Sequence, residues 1–124
     1  MPMDKLSVIG WLFAAILVSG LGMILAGRFL HMPLLIAHKL LAVACLILLL
    51  RVAGVLRAFA APPALPAVIV VFAVAYLASF ATGAVESIPA AAGSLWLNLH
   101  RVAAAVAAIA FAIAARLIAT SARP

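Results

Sequence analysis

The stretch Leu6–Gly27, LSVIGWLFAAILVSGLGMILAG, decides the fold class because it contains no charged residue. Its 22 residues match the ~20 that an α-helix needs to cross a bilayer at a rise of ~1.5 Å per residue. Lys5 before this run resembles the start of a signal peptide, but the apolar region of a cleaved signal has only ~7–15 residues. We therefore expect a retained membrane-spanning helix.

The composition of the chain excludes an ordinary soluble domain. Of its 124 residues, 71% are hydrophobic and 8% are charged, against ~45–50% and ~25% in soluble proteins. The net charge of +6 comes from single cations that flank apolar runs, a pattern of membrane topology rather than of nucleic-acid binding. The composition predicts an integral membrane protein that contacts the lipid bilayer and no nucleic acid.

Four apolar segments follow one another, at about residues 6–30, 34–57, 66–85 and 94–119. Pro33 suits the first turn of the second segment, and Ser94 is a suitable N-cap for the fourth. Backbone groups in lipid must pair within their own segment, so the segments are expected to be helices. Because short connections make neighbouring helices antiparallel, we expect one all-α domain over residues 1–124, an up-down four-helix bundle in the membrane.

The distribution of cations predicts the orientation of these helices. One end of the bundle carries five of the eight cations: Lys5, Arg51, Arg57, Arg116 and Arg123. The other end carries Arg28, Lys39 and Arg101. Because cytoplasmic ends are richer in Lys and Arg, we expect both termini in the cytoplasm and the first and third connections on the periplasmic side of a bacterial inner membrane.

Two histidine–cation pairs occupy matched places in the chain. His38-Lys39 and His100-Arg101 lie 62 residues apart, each near the start of an even-numbered segment. The second and fourth helices run parallel in an up-down bundle, so both histidines should lie roughly 6–9 Å below the starts of their helices. We therefore expect the two histidines at nearly one depth, near the outer face.

A tandem repeat of a two-helix unit would explain this match. Leu17-Val18-Ser19 resembles Leu77-Ala78-Ser79 at an offset of 60 residues. Alanine-rich apolar sequence also produces such similarities by chance, so both explanations stay open. In a true repeat, the two histidines would be related by a pseudo-two-fold axis along the membrane normal.

Two imidazoles at one depth suit a single b-type haem with two axial histidines. The other ring nitrogen of a ligating histidine usually donates to an acceptor, for which the sequence offers Asn98, Glu86, Ser94 or a loop carbonyl. The two neighbouring cations would pair with the haem propionates, and two glycines would leave room for the porphyrin. The predicted haem-binding residues are His38, His100, Lys39, Arg101, Gly22 and Gly83, with the two histidines as ligands of the iron.

Four apolar helices with His38-Lys39 and His100-Arg101 near the starts of the second and fourth resemble small bacterial membrane cytochromes b, of the cytochrome b561-like and ferric-reductase-like groups. The resemblance covers the whole chain as architecture, and the two dipeptides are its motif content. It implies electron transfer with a quinol or a periplasmic partner protein. Such proteins commonly carry two haems, one near each face, whereas this chain has no histidine near the cytoplasmic side. We therefore expect one haem.

Two alternative functions stay open: a small transporter or channel, and an accessory subunit without a cofactor. Whether the chain forms an oligomer also stays open. Small multidrug exporters need an acidic residue inside the first helix, and residues 6–30 contain none. Ionisable residues inside a membrane are functional candidates by default. Here they are the two histidine–cation pairs, which favours the redox function.

The remaining polar and sulfur-containing residues are expected to have structural roles. His31 is expected in a solvated connection, and Glu86 is expected in a loop. The single cysteine, Cys45, permits no internal disulfide and is expected in the core. Tyr76 is expected to pack near mid-membrane, and Met23 is the less favoured axial ligand.

Overall fold

The computed structural model describes residues 2–26, 32–56, 62–88 and 93–121. These residues form four α-helices: α1 (Pro2–Ala26), α2 (Met32–Leu56), α3 (Leu65–Glu86) and α4 (Ser94–Ser121). No β-strand occurs among the described residues. The prediction of an all-α protein with four long apolar helices is therefore confirmed, and it is compatible with a membrane four-helix bundle.

The helix starts differ from the predictions by a few residues. α1 begins at Pro2 rather than near residue 6, and α2 begins at Met32, so Pro33 is its second residue. Ser94 is the first residue of α4, and the carbonyl of Gly93 accepts a hydrogen bond from the Leu97 N–H at 3.2 Å. Gly93, rather than Ser94, thus stands at the N-cap, where glycine is tolerated because it adopts non-helical dihedrals freely. The predicted end of the first helix near residue 30 and the predicted loop residue His31 lie outside the described residues.

All four helices are long and apolar enough to cross a membrane. Large apolar side chains cover their outer faces, as at Trp11, Leu25, Leu50 and Ile109, which are all exposed. Water would penalise so much exposed apolar surface, whereas acyl chains accept it. The chain is therefore a multi-pass membrane protein whose helices contact lipid.

The chain forms two compact units, residues 1–59 and 60–124. In the first unit α1 packs on α2, and in the second α3 packs on α4. We call these units the first and second hairpins.

In the first hairpin, one face of α1 supplies most of the core. Ile9, Phe13 and Ile16 recur at helical spacing and are all buried, as the side chains of one helix face must be. From α2, Cys45 is 0% exposed, which agrees with its predicted place in the core. The helices run antiparallel, because Gly22 lies against Leu34 while the earlier Ser19 lies against the later His38.

In the second hairpin, aromatic residues of α3 pack against an alanine-rich face of α4. The ring centroid of Phe72 lies 5.7 Å from that of Tyr76 and 5.8 Å from that of Phe111, both in tilted arrangements. Ala107 and Ala110 are 1% and 4% exposed, and their small side chains let α3 approach closely. Tyr76 is buried, in line with the expected packing role.

Candidate functional site

In the first hairpin, His38 of α2 contacts Ser19 of α1 through its Nδ1 atom. The Ser19 Oγ atom lies 2.8 Å from His38 Nδ1. The same Oγ lies 2.9 Å from the carbonyl oxygen of Ile16, to which it donates. Ser19 is buried, and His38 is half-buried.

These two contacts favour one tautomer of His38. A serine hydroxyl carries one hydrogen, and at 2.9 Å the Ile16 carbonyl is an acceptor for it. With the hydrogen directed there, the Oγ atom accepts from Nδ1–H of His38. In the neutral ring, Nε2 therefore carries the lone pair, which is the form in which histidine binds metals.

A glycine of α1 lies beside the same ring, and it is Gly20. A Cβ atom at Gly20 would lie 3.3 Å from His38 Cε1, closer than ordinary van der Waals contact. Gly22, the predicted haem-binding glycine, lies against Leu34, where a Cβ would meet Cδ2 at 3.6 Å. Both glycines therefore lie against α2, Gly20 at the level of His38 and Gly22 one turn away at Leu34. The role of Gly22 beside a haem stays a prediction.

In the second hairpin, His100 of α4 contacts Ser79 of α3, again through Nδ1. The Nδ1 atom lies 2.7 Å from the main-chain oxygen of Ser79 and 3.3 Å from its Oγ. A carbonyl oxygen can only accept, so Nδ1 of His100 must carry a hydrogen. Nε2 of the neutral ring therefore carries the lone pair, as in His38.

The absence of a side chain at Gly83 makes this contact possible. In a helix, the carbonyl of Ser79 points toward residue 83, and a side chain there covers the carbonyl. A Cβ at Gly83 would lie 3.0 Å from both Cε1 and Nδ1 of His100. Gly83 therefore exposes the Ser79 carbonyl to the imidazole. It lies close to His100 because a larger residue there would displace the ring from this carbonyl.

The serine–histidine pairs occupy the same positions in the two hairpins. His38 lies six residues beyond Met32, the first residue of α2, and His100 lies six residues beyond Ser94, the first residue of α4. At ~1.5 Å per residue, each histidine is ~9 Å into its helix. Ser19 and Ser79 each precede the last residue of their helix by seven. The Cys45 and Ala107 core positions also match, at the 62-residue offset of the histidines. These matches extend the predicted tandem similarity to the side-chain contacts.

The two predicted cations follow the histidines on the outer surfaces of their helices. Lys39 and Arg101 are both exposed. A long cationic side chain at this depth keeps its stem in an apolar environment and extends its charge toward the headgroup region.

Glu86 was expected in a loop, but it is the last residue of α3. Its side chain contacts Gly93, the residue before α4. Its Oε2 atom accepts a hydrogen bond from Gly93 N–H at 3.1 Å. A carboxylate at the N-terminus of a helix also compensates the helix dipole. Glu86 therefore fixes the start of α4, the helix that carries His100.

The sequence alone did not identify Ser19 and Ser79 as the Nδ1 acceptors, although their matched spacing was the available signal. Within the described ranges, no group of three or more His, Cys, Asp or Glu residues is arranged to hold a metal ion. Comparisons with protein-family models, curated protein sequences and solved structures find no match to this chain. Its function is therefore inferred from the two serine–histidine pairs.

Proposed function

We propose that this chain is a membrane electron-transfer protein that binds one haem b, with Nε2 of His38 and Nε2 of His100 as the axial ligands. The observation that supports this most directly is the common tautomer of the two histidines. In each, the Nδ1 hydrogen is held by an acceptor on the preceding helix. Such an acceptor orients a ligating histidine and raises the basicity of its other nitrogen.

The donor set fits the cofactor chemically. Neutral imidazole is a good ligand for iron, and cofactor sites in helix bundles are built from side chains on facing helices. A bound haem supplies a one-electron Fe(III)/Fe(II) couple. In each hairpin, a contact to the preceding helix favours the ligating tautomer of the histidine.

The cations beside the histidines suit the propionates of such a haem. The sequence has eight cations and two acidic residues, so most cations have no acidic residue of this chain to pair with. Lys39 and Arg101 each directly follow a proposed ligand and are exposed. A charge-assisted contact with a propionate is strong at the edge of a membrane, where little water competes.

The proposed site lies near the outer face of a bacterial inner membrane, with both termini in the cytoplasm. The excess of cations at the opposite end supports this orientation. At that depth, a quinol from the bilayer or a soluble redox protein in the periplasm would exchange electrons with the haem. The same contacts also support a second function, that of an accessory subunit without a cofactor. Hydrogen bonds between helices stabilise membrane proteins by ~0.6 kcal/mol on average, so each serine–histidine pair would then serve packing alone.

Co-purification of haem distinguishes the two functions. The protein is expressed in haem-sufficient cells and purified in detergent, and haem is measured as its pyridine haemochrome against protein from amino-acid analysis. The redox function predicts about one haem b per chain, following the single ligand pair. Protein without haem, even after reconstitution with hemin, would contradict it and support the accessory function.

A further inference from the structure

The two Nδ1 acceptors differ in chemical kind, although the serines occupy matched positions. His38 donates to a hydroxyl, the Oγ of Ser19 at 2.8 Å. His100 donates to a main-chain carbonyl, that of Ser79 at 2.7 Å. A hydroxyl can either donate or accept, whereas a carbonyl only accepts.

At His38 the hydroxyl permits a second tautomer. The Ser19 hydrogen can turn from the Ile16 carbonyl, 2.9 Å away, toward His38 Nδ1. Nδ1 must first lose its proton to water while Nε2 takes one up from water, so the ring stays neutral and the serine keeps its hydrogen. The Nδ1–H form has two hydrogen bonds, from Ser19 to Ile16 and from His38 to Ser19, whereas the Nε2–H form has only the one from Ser19 to Nδ1. The Nδ1–H form is therefore favoured. The Nε2–H form stays accessible because one hydrogen bond contributes little net free energy.

At His100 the carbonyl excludes this exchange. In the Nε2–H form, the lone pair of Nδ1 would face the lone pairs of the Ser79 carbonyl at 2.7 Å, and the two would repel. The Ser79 hydroxyl is the longer contact at 3.3 Å. The carbonyl is part of the α3 backbone and cannot turn away, since helix hydrogen bonds fix it.

We infer that the two histidines are inequivalent: the Ser79 carbonyl locks His100 in the Nδ1–H tautomer, whereas the Ser19 hydroxyl lets His38 exchange between tautomers. For haem this inference rests on the proposed function. Only the Nδ1–H form presents a lone pair at Nε2. If haem is bound, His100 would be the firmly held ligand, and His38 would be the ligand that a small neutral molecule such as carbon monoxide could replace.

Nitrogen NMR tests the tautomers in the full chain without haem. The protein is labelled with ¹⁵N-histidine in detergent micelles, and the imidazole nitrogen shifts report which nitrogen carries hydrogen. We expect His100 as pure Nδ1–H and His38 as a mixture. The matched variants are Ser19→Ala, expected to change the His38 tautomer ratio severalfold, and Ser79→Ala, expected to leave His100 unchanged because the carbonyl remains. Equal tautomer ratios at the two histidines, or equal responses to the two substitutions, would overturn the inference.

A second measurement tests the ligands in haem-loaded protein. Haem loss to excess apomyoglobin is followed in His38→Ala and His100→Ala, and the reduced wild-type protein is exposed to carbon monoxide. We expect haem loss at least tenfold faster from His100→Ala and a carbon monoxide adduct in the wild type. Equal rates, or faster loss from His38→Ala, would contradict the assignment of the firm ligand. If no preparation holds haem, the proposed function fails, and the nitrogen shifts still decide the tautomers.

Discussion

The Nδ1 atom of His100 lies 2.7 Å from the main-chain oxygen of Ser79, on a helix surface that the missing side chain of Gly83 leaves open. An imidazole bonded to a helix carbonyl has its rotation and its tautomer fixed together. The first hairpin reaches the same tautomer by a different route, through the hydroxyl of Ser19.

Gly83→Ala should weaken the second hairpin. The new Cβ would lie 3.0 Å from Cε1 and Nδ1 of His100, so the ring would have to shift and its bond to the Ser79 carbonyl would weaken. We expect the free energy of unfolding to fall by about 0.5–2 kcal/mol, measured by denaturation in mixed micelles. Gly22→Ala is the matched control, because its Cβ would meet Leu34 at an ordinary 3.6 Å and alanine favours a helix by up to ~1 kcal/mol. An equal loss in both variants would argue against a specific role of Gly83.

Ala107→Leu should also destabilise the second hairpin. Ala107 is 1% exposed, and a larger side chain there would push α4 from α3 at a cost of about 1–3 kcal/mol. The control is Ala105→Leu, because residue 105 is exposed and a leucine there would contact lipid. The same denaturation measurement compares the two variants. A larger loss of stability in Ala105→Leu than in Ala107→Leu would contradict this packing of α3 on α4.

Glu86→Ala should loosen the start of α4. Removal of the carboxylate leaves the Gly93 N–H without the acceptor at 3.1 Å, so its amide hydrogen should exchange about tenfold faster, equivalent to ~1.4 kcal/mol. Hydrogen exchange followed by NMR measures this directly. Glu86→Gln keeps an acceptor oxygen and should show most of the wild-type protection. Unchanged exchange in the alanine variant would show that this contact does not hold the helix start.

The orientation follows from the cations and has its own test. A C-terminal fusion to green fluorescent protein should fluoresce in a bacterial host, and a C-terminal fusion to alkaline phosphatase should be inactive, because the C-terminus is expected in the cytoplasm. Exchange of the excess cations between the two ends is the informative control, since it should reverse both signals. An active phosphatase fusion of the wild-type chain would reverse the orientation and place the histidines near the cytoplasmic face.

The helices were predictable from sequence because a bilayer imposes a length and an apolar composition that few other structures share. The matched positions of His38 and His100 within their own helices were also predictable, since their spacing and the helix starts determine them. The partners of the histidines were not. Whether Gly20 or Gly22 meets His38 depends on the rotation and the register of α1 against α2. Because α1 is apolar on all its faces, its sequence pattern predicts neither.

The serine acceptors could not be predicted from the sequence for a related reason. Ser19 and Ser79 were recognisable as polar residues at matched positions, but an acceptor on the connections or on α4 itself served the ligand chemistry equally well. His100 contacts the main-chain carbonyl of Ser79 because Gly83 lies one turn later. This combination of residues is recognisable only when the backbone of α3 is placed beside His100.

The reduced-minus-oxidised absorption spectrum of the purified protein tests directly whether His38 and His100 hold a haem. We expect sharp Soret and α bands of a six-coordinate haem b in the wild-type protein and in His31→Ala, the third histidine serving as the control. Each of His38→Ala and His100→Ala should lose this six-coordinate spectrum. A wild-type protein without these bands, or bands that survive both single substitutions unchanged, would contradict the assignment of His38 and His100 as the ligands of a haem.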